Sequence, residues 1–110
     1  MTLPIFSYGT LQMEKVQRAL FGRLVAMEDD VLLGYRTVAI EVTEPDPLDY
    51  SGLPVHQALV PAEPDAAIPG KILTTDDGDL PAIDAYEGDL YVRVAVTLAS
   101  GMRAWVYVKA

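Results

Sequence analysis

FSYGTLQ, residues 6–12, follows an apolar run that starts at Leu3 and places a glycine where a strand has to end. Leu3 to Tyr8 reads as a first strand, and Gly9 to Gln12 as the turn that leaves it. From Met13 the apolar spacing becomes helical. Met13, Val16, Leu20 and Leu24 share one face, while Glu14, Lys15, Gln17 and Arg18 fall elsewhere. Gly22 is the expected stop. The chain therefore opens with a strand, a glycine-containing turn and a short helix.

Working outward, "YRTVAIEV" inside Val31–Val42 alternates as a strand with one buried face. Residues 43–54, "TEPDPLDYSGLP", carry three prolines and a glycine and read as a long loop, the kind that serves function or moves. "HQALVPAEP" supplies a short strand and "GKILTT" another. "DDGDLPAIDAYEG" reads as a short helix with acidic residues at its positive end, Pro81 in its first turn and Gly88 as its stop. Asp76, Asp77 and Asp79 are read as helix-start capping in preference to a metal site. "LYVRVAVTLA" and "MRAWVYVKA", separated by Ser100-Gly101, predict a hairpin. Trp105 and Tyr107 alternate along its second strand and predict one packed face. The order predicts an α+β fold in which a mixed sheet closes toward a barrel with short helices at its side, and an ordinary α+β sandwich is the fallback.

Composition narrows the function classes. With 110 residues the chain is expected to form one domain, residues 1–110, and 51% hydrophobic content argues against disorder. A net charge of −8 and a pI near 4.3 disfavour nucleic-acid partners, because an acidic surface repels phosphates. No run of 18 apolar residues marks a membrane span, and no secretory signal is visible, so a cytoplasmic address is expected. Without a cysteine, thiol catalysis, disulfides and thiolate metal sites are excluded. His56 is the only histidine, which disfavours a histidine triad or a zinc site; it reads as structural or exposed. An anionic substrate would have to be attracted locally, by backbone N–H groups or a nearby Arg or Lys.

One residue breaks the pattern. On a helix over "LPAIDAYEG", Leu80 and Ile83 define an apolar stripe, and Glu87 lies between them in projection. A carboxylate on a core-facing stripe is costly to ionise, and its pKa rises. Such a group suits general acid–base work near neutral pH. The bland alternatives are a side chain that swings to water at the helix end, or an ion pair with Arg93 or Arg36. The turn at Gly9 has its own bland reading, a plain βα connection with Tyr8 as packing. Its sharper one is a set of unpaired N–H groups at a helix start, which attract anions.

Tyr8-Gly9-Thr10-Leu11 after an N-terminal strand, with Asp84-x-Tyr86-Glu87-Gly88 and then Tyr91-x-Arg93, together resemble the γ-glutamylcyclotransferase-like family, including its AIG2-like and γ-glutamylamine cyclotransferase branches. "IPGKILTT" and "AWVYV", 104–108, are similar to that family's glycine-containing and closing strands. The resemblance implies a small mixed β-barrel with flanking helices. It implies a metal-independent amide lyase or acyltransferase, with no cofactor, that releases an amine from a small γ-glutamyl amide and closes the glutamyl part into 5-oxoproline. It assigns Glu87 as the acid/base and the Tyr8–Leu11 loop as the holder of the glutamyl portion. Tyr91 either bonds Glu87 or the substrate, or packs as an aromatic. Arg93 either serves Glu87 or the substrate, or forms a structural ion pair. Two departures stand out: Gln12-Met13-Glu14-Lys15 after the loop, where many relatives have a basic or Gly-Asn continuation, and Ile83 where Leu is usual. The first leaves the amine half of the substrate open. A non-catalytic domain that binds a small ligand in the same pocket is the alternative function.

Overall fold

In the computed structural model, residues 3–41 and 47–110 are described. Strand β1 is only Ile5–Ser7, and all three residues are buried. A strand with both faces covered has no need of alternation. It sits at the centre of a five-stranded sheet ordered β2-β5-β1-β7-β6, where β2 is Met27–Leu33, β5 Ala67–Leu73, β6 Tyr91–Thr97 and β7 Arg103–Lys109. β1 runs antiparallel to β5, with Ile5 opposite Leu73 and Phe6 opposite Ile72, and parallel to β7, with Ile5 opposite Trp105. Strands β3, Tyr35–Glu41, and β4, Val55–Pro61, pair with each other in a separate two-stranded ribbon.

Because side chains alternate across a sheet, the central strands feed two cores. Ile5, Leu73 and Tyr107 meet helix α1, Glu14–Phe21, through Val16, and helix α2, Leu80–Glu87, through Ile83 and Tyr86. Trp105 packs against the same cluster, as its alternation with Tyr107 predicts. Phe6, Ile72 and Val106 face the other way and pack with Leu32, Leu98 and, from the ribbon, Leu59. Each fully buried aliphatic side chain contributes about 1.5–3 kcal/mol, so the two clusters fix the sheet between helices and ribbon.

The mixed α+β class holds, but the strands do not close into the expected barrel. The edges of the main sheet are β2 and β6, which do not pair, and β3 and β4 pair only with each other. The β-rich stretch Val31–Val42 holds the expected strand "YRTVAIEV" as β3, Tyr35–Glu41, preceded by the end of β2. Gly34 breaks the stretch in the left-handed region, φ +86°, which residues with a side chain avoid. β2 then reaches back through "MEDD" to Met27, a stretch too acidic to look like a strand. Edge position explains it, since charges there discourage further pairing. Val42 and residues 43–46 of the expected long loop lie outside the described residues.

The first helix ends at Gly22, φ +67°. The second follows a 3-10 turn, Asp77–Asp79, in which Asp76 and Asp79 cap each other reciprocally. Gln17, expected on the polar face of α1, is buried, because its amide satisfies two backbone groups: Nε2 donates to the Leu11 carbonyl at 2.9 Å and Oε1 accepts from Val25 N–H at 3.1 Å. Gln17→Leu leaves both groups unpaired and is expected to cost about 2 kcal/mol, read as a lower urea midpoint at unchanged slope. No helix among the described residues is long and apolar enough to cross a membrane.

Candidate active site

The short β1 delivers its C-terminal end into a cavity of about 320 Å³. Ser7 and the Tyr8–Leu11 loop form one wall, Tyr86 and Glu87 at the end of α2 another, and Tyr91 and Tyr107 come from β6 and β7. Leu53, Val55, His56 and Gln57, around the start of β4, complete it, with Met13 beneath. Residues far apart in sequence are held here by direct bonds. Thr10 Oγ1 and Tyr86 Oη share a hydrogen at 2.6 Å, and Tyr8 Oη donates to the Tyr107 carbonyl at 2.8 Å. Tyr91 Oη donates to the Gln57 carbonyl at 3.0 Å, and Gln12 Nε2 to the Ser7 carbonyl at 2.7 Å.

The loop itself is a 3-10 turn, Thr10–Gln12, that leads into α1. Its internal hydrogen bonds begin with Gln12 N–H to the Gly9 carbonyl at 3.1 Å. The N–H groups of Thr10 and Leu11 precede any acceptor in the turn, as at every helix start. A Cβ at Gly9 would meet nothing within 4 Å, so protein packing does not demand the glycine; the space beside it is open.

Glu87 is partly buried on the cavity wall and makes no hydrogen bond or ion pair among the described residues. Burial, and then the charge of Asp84 one turn earlier, push its carboxyl from the ordinary 4.5 up to about 8. The C-terminal end of a helix, negative in its dipole, acts in the same direction. The tyrosines move away from neutrality. Burial first and Glu87 second raise Tyr91 to about 12, and burial raises Tyr8, Tyr86 and Tyr107 as well. The phenols therefore stay protonated at neutral pH and act as donors, while Glu87 changes state there.

Of the residues expected in the site, Tyr8, Gly9, Thr10, Leu11, Tyr91 and Glu87 line one cavity. Arg93 does not. Its guanidinium grips Asp84 through two bonds, of 3.1 and 3.2 Å, and lies 4.5 Å over the Trp105 ring, in a neighbouring open groove. The cavity has no Lys or Arg among its lining residues. No group of three or more His, Asp or Glu among the described residues forms a metal-ligating cluster.

The family model for γ-glutamyl cyclotransferase, AIG2-like, matches residues 5–110. The chain belongs to that family. The match embraces both motifs and every strand between them. No curated protein sequence matches the chain. Two solved structures share its fold, both solution structures from Arabidopsis thaliana. At3g28950.1 is 23% identical with a TM-score of 0.74, over 99% of this chain and 62% of that one. At5g39720.1 is 21% identical with a TM-score of 0.74, over 98% of this chain and 68% of that one. The chain thus spans about two thirds of these longer relatives, and at that identity they speak for the fold alone. The family's members are generally cyclotransferase-like enzymes acting on small γ-glutamyl compounds.

Several lining or supporting residues were given no role in the site by the sequence. Tyr86 bonds the loop, Tyr107 donates from Oη to Asp84 Oδ1 at 2.6 Å, and His56, read as structural or exposed, is half-buried and also lines the cavity. The signal for Asp84 was present in its i, i+3 spacing to Glu87. Asp84→Asn removes the like charge that helps to raise Glu87. The Glu87 carboxyl is then expected to titrate below about 8, seen as a downward shift in its side-chain carbon NMR titration; an unchanged midpoint would show that burial alone sets it.

Proposed function

We propose that the chain is a γ-glutamyl cyclotransferase-type enzyme that cleaves a γ-glutamyl amide with cyclisation to 5-oxoproline. One observation carries the reading: a carboxyl raised to about 8, with no hydrogen-bond or ion-pair partner among the described residues, in the same cavity as the Tyr-Gly-Thr-Leu loop. The nucleophile is the substrate's own α-amine, so the absence of a cysteine is no obstacle. That amine enters as an ammonium and must lose a proton before it attacks the γ-carbonyl carbon. The substrate's α-ammonium, beside its own carboxylate, titrates above the value of about 8 for a chain-terminal α-amine, so transfer to Glu87, at about 8, is uphill but far less so than to an ordinary carboxylate. Matched acidities are where general acid–base catalysis is most efficient.

The new bond joins the α-nitrogen to the γ-carbon, the amide C–N bond breaks, and the proton passes to the departing amine. No water is consumed. Holding the amine against the carbonyl is a proximity effect that serves in place of a protein nucleophile. With no Lys or Arg among the described residues that line the cavity, the substrate's α-carboxylate falls to backbone N–H groups, and those of Thr10 and Leu11 are available. Tyr91 Oη gives its one hydrogen to the Gln57 carbonyl, so toward Glu87 or the substrate its role is that of an acceptor. Arg93 contributes at one remove, through Asp84, and does not touch the substrate.

The test is 5-oxoproline release from a panel of γ-glutamyl amides that differ in the amine half, followed by chromatography. Stoichiometric release of 5-oxoproline and amine from at least one member is expected. Folded protein that binds the panel in a thermal-shift assay and releases nothing would favour a ligand-binding domain in its place.

A further inference from the structure

The cyclotransferase reading uses one acid–base group, yet the reaction has two proton events on two nitrogens, the attacking α-amine and the leaving amine. The part of the wall around the start of β4 carries a second titratable pair that the reading leaves idle. His56 lines the cavity, and its Nε2 lies 3.3 Å from Asp49 Oδ2 and 3.3 Å from Ser51 Oγ. Ser51 is buried, with 1% of its surface exposed, and its hydroxyl donates to Asp49 Oδ1 at 2.6 Å. A serine has one hydroxyl hydrogen, so toward His56 its oxygen must accept. Nε2 therefore carries a hydrogen, and in the neutral imidazole Nδ1 is bare. Nδ1 meets no hydrogen-bonding partner among the described residues.

Asp49 is built to hold this arrangement. Burial alone would raise its carboxyl, but the Ser51 hydroxyl, the Ser51 N–H at 3.1 Å and the nearby His56 hold it below the ordinary carboxylate range. It stays ionised beside the imidazole, which it orients, as a carboxylate does for histidine in many sites. The same short strap is anchored to the first acid–base residue's neighbour: the Tyr50 ring stacks on Tyr86 with centroids 6.0 Å apart and planes 4° from parallel.

Resting on the cyclotransferase reading, we propose that His56, oriented by Asp49 and Ser51, is a second catalytic residue that delivers the proton to the leaving amine. Glu87 takes a proton from the α-ammonium. After attack the ring nitrogen sheds its second proton to solvent, and Nδ1 of His56, protonated, gives its proton to the amide nitrogen as the C–N bond breaks. The proton held by Glu87 passes through solvent to restore the imidazolium, and the one shed after attack ends on the free amine as its ammonium. Two protons leave the α-nitrogen and two reach the leaving amine, so protons balance and no co-reactant is required.

The test compares two substrates: a γ-glutamyl alkylamide, whose amine is a poor leaving group without a proton, and γ-glutamyl-p-nitroanilide, whose amine leaves without one. In His56→Gln, kcat on the alkylamide is expected to fall by about 10²-fold, the lower range for loss of a general acid, and on the anilide by clearly less, within about tenfold. Asp49→Asn, which keeps the imidazole and removes its orienter, is expected to show the same substrate dependence with a smaller loss. Equal losses on both substrates, in variants shown by near-ultraviolet circular dichroism to be folded, would make His56 a structural residue and overturn the proposal. Wild-type protein inactive on both substrates would overturn the cyclotransferase reading and this inference with it.

Discussion

Glu87→Gln is expected to abolish 5-oxoproline release, by roughly 10³-fold or more, while making the fold more stable above neutral pH. Both effects have one cause. The substitution keeps the shape of the side chain and removes its ability to exchange a proton with the substrate's α-amine. Stability moves the other way because the carboxyl is uncomfortable when charged. Folded Glu87 titrates at about 8 against an ordinary 4.5. Between those values the folded chain holds a proton that the unfolded chain has released, so the contribution of this group falls as pH rises through that window. Above about pH 8 the folded state carries the full penalty of a buried charge, a few kcal/mol by linkage. Glutamine carries none. Thermal melts at pH 5 and pH 9 check this directly. The difference in Tm between variant and wild type should grow in favour of the variant toward the alkaline end, and a difference independent of pH would mean that Glu87 is not buried as a charge.

Gly70→Ala is expected to lose about 3 kcal/mol of stability, the upper range for an overpacked site, or roughly 10–15 °C in Tm for a domain of this size. Gly70 lies on β5 against β1, where an added Cβ would stand 2.5 Å from the Ser7 carbonyl oxygen and 2.6 Å from the Phe6 ring. The ring can turn, but the backbone oxygen can give way only by moving β1. Ser7 leads directly into Tyr8 and the loop, and its carbonyl also receives the Gln12 amide at 2.7 Å. Strand displacement therefore reaches the cavity. Turnover should fall even well below the melting temperature, mainly through KM, because the loop is where the glutamyl portion is proposed to sit. A variant with wild-type Tm and KM would show that β5 and β1 separate without cost.

What the sequence discloses follows from the range of the interactions involved. The opening strand, turn and helix are local, and so is the conflict at Glu87, which needs only the 3.6-residue period to be seen. The family, too, was legible from two short motifs in the right order. The break at Gly34 was hidden because strand-like residues stand on both sides of it. "MEDD" in β2 was hidden because its strand character comes from pairing with β5, a non-local matter that overrides propensity. Closure of the barrel depended wholly on such pairings. Arg93 shows a different limit. Asp84 and Glu87 lie within one helical turn, so spacing offers the guanidinium either partner, and only the register of β6 against β7 turns it to Asp84 over Trp105. His56 gains its place because a strap folds Asp49 and Ser51 against it, and a lone histidine at the start of a strand gives no hint of that.

The central claim is that the γ-glutamyl carbonyl is attacked by the substrate's own amine and not by water. Reaction of the wild-type protein with a γ-glutamyl amide in water enriched in heavy oxygen, followed by mass spectrometry of the products, tests it most directly. The predicted result is unlabelled 5-oxoproline and free amine in equal amounts. Glutamate carrying the heavy oxygen in its γ-carboxyl group would contradict it, since that product requires attack by water.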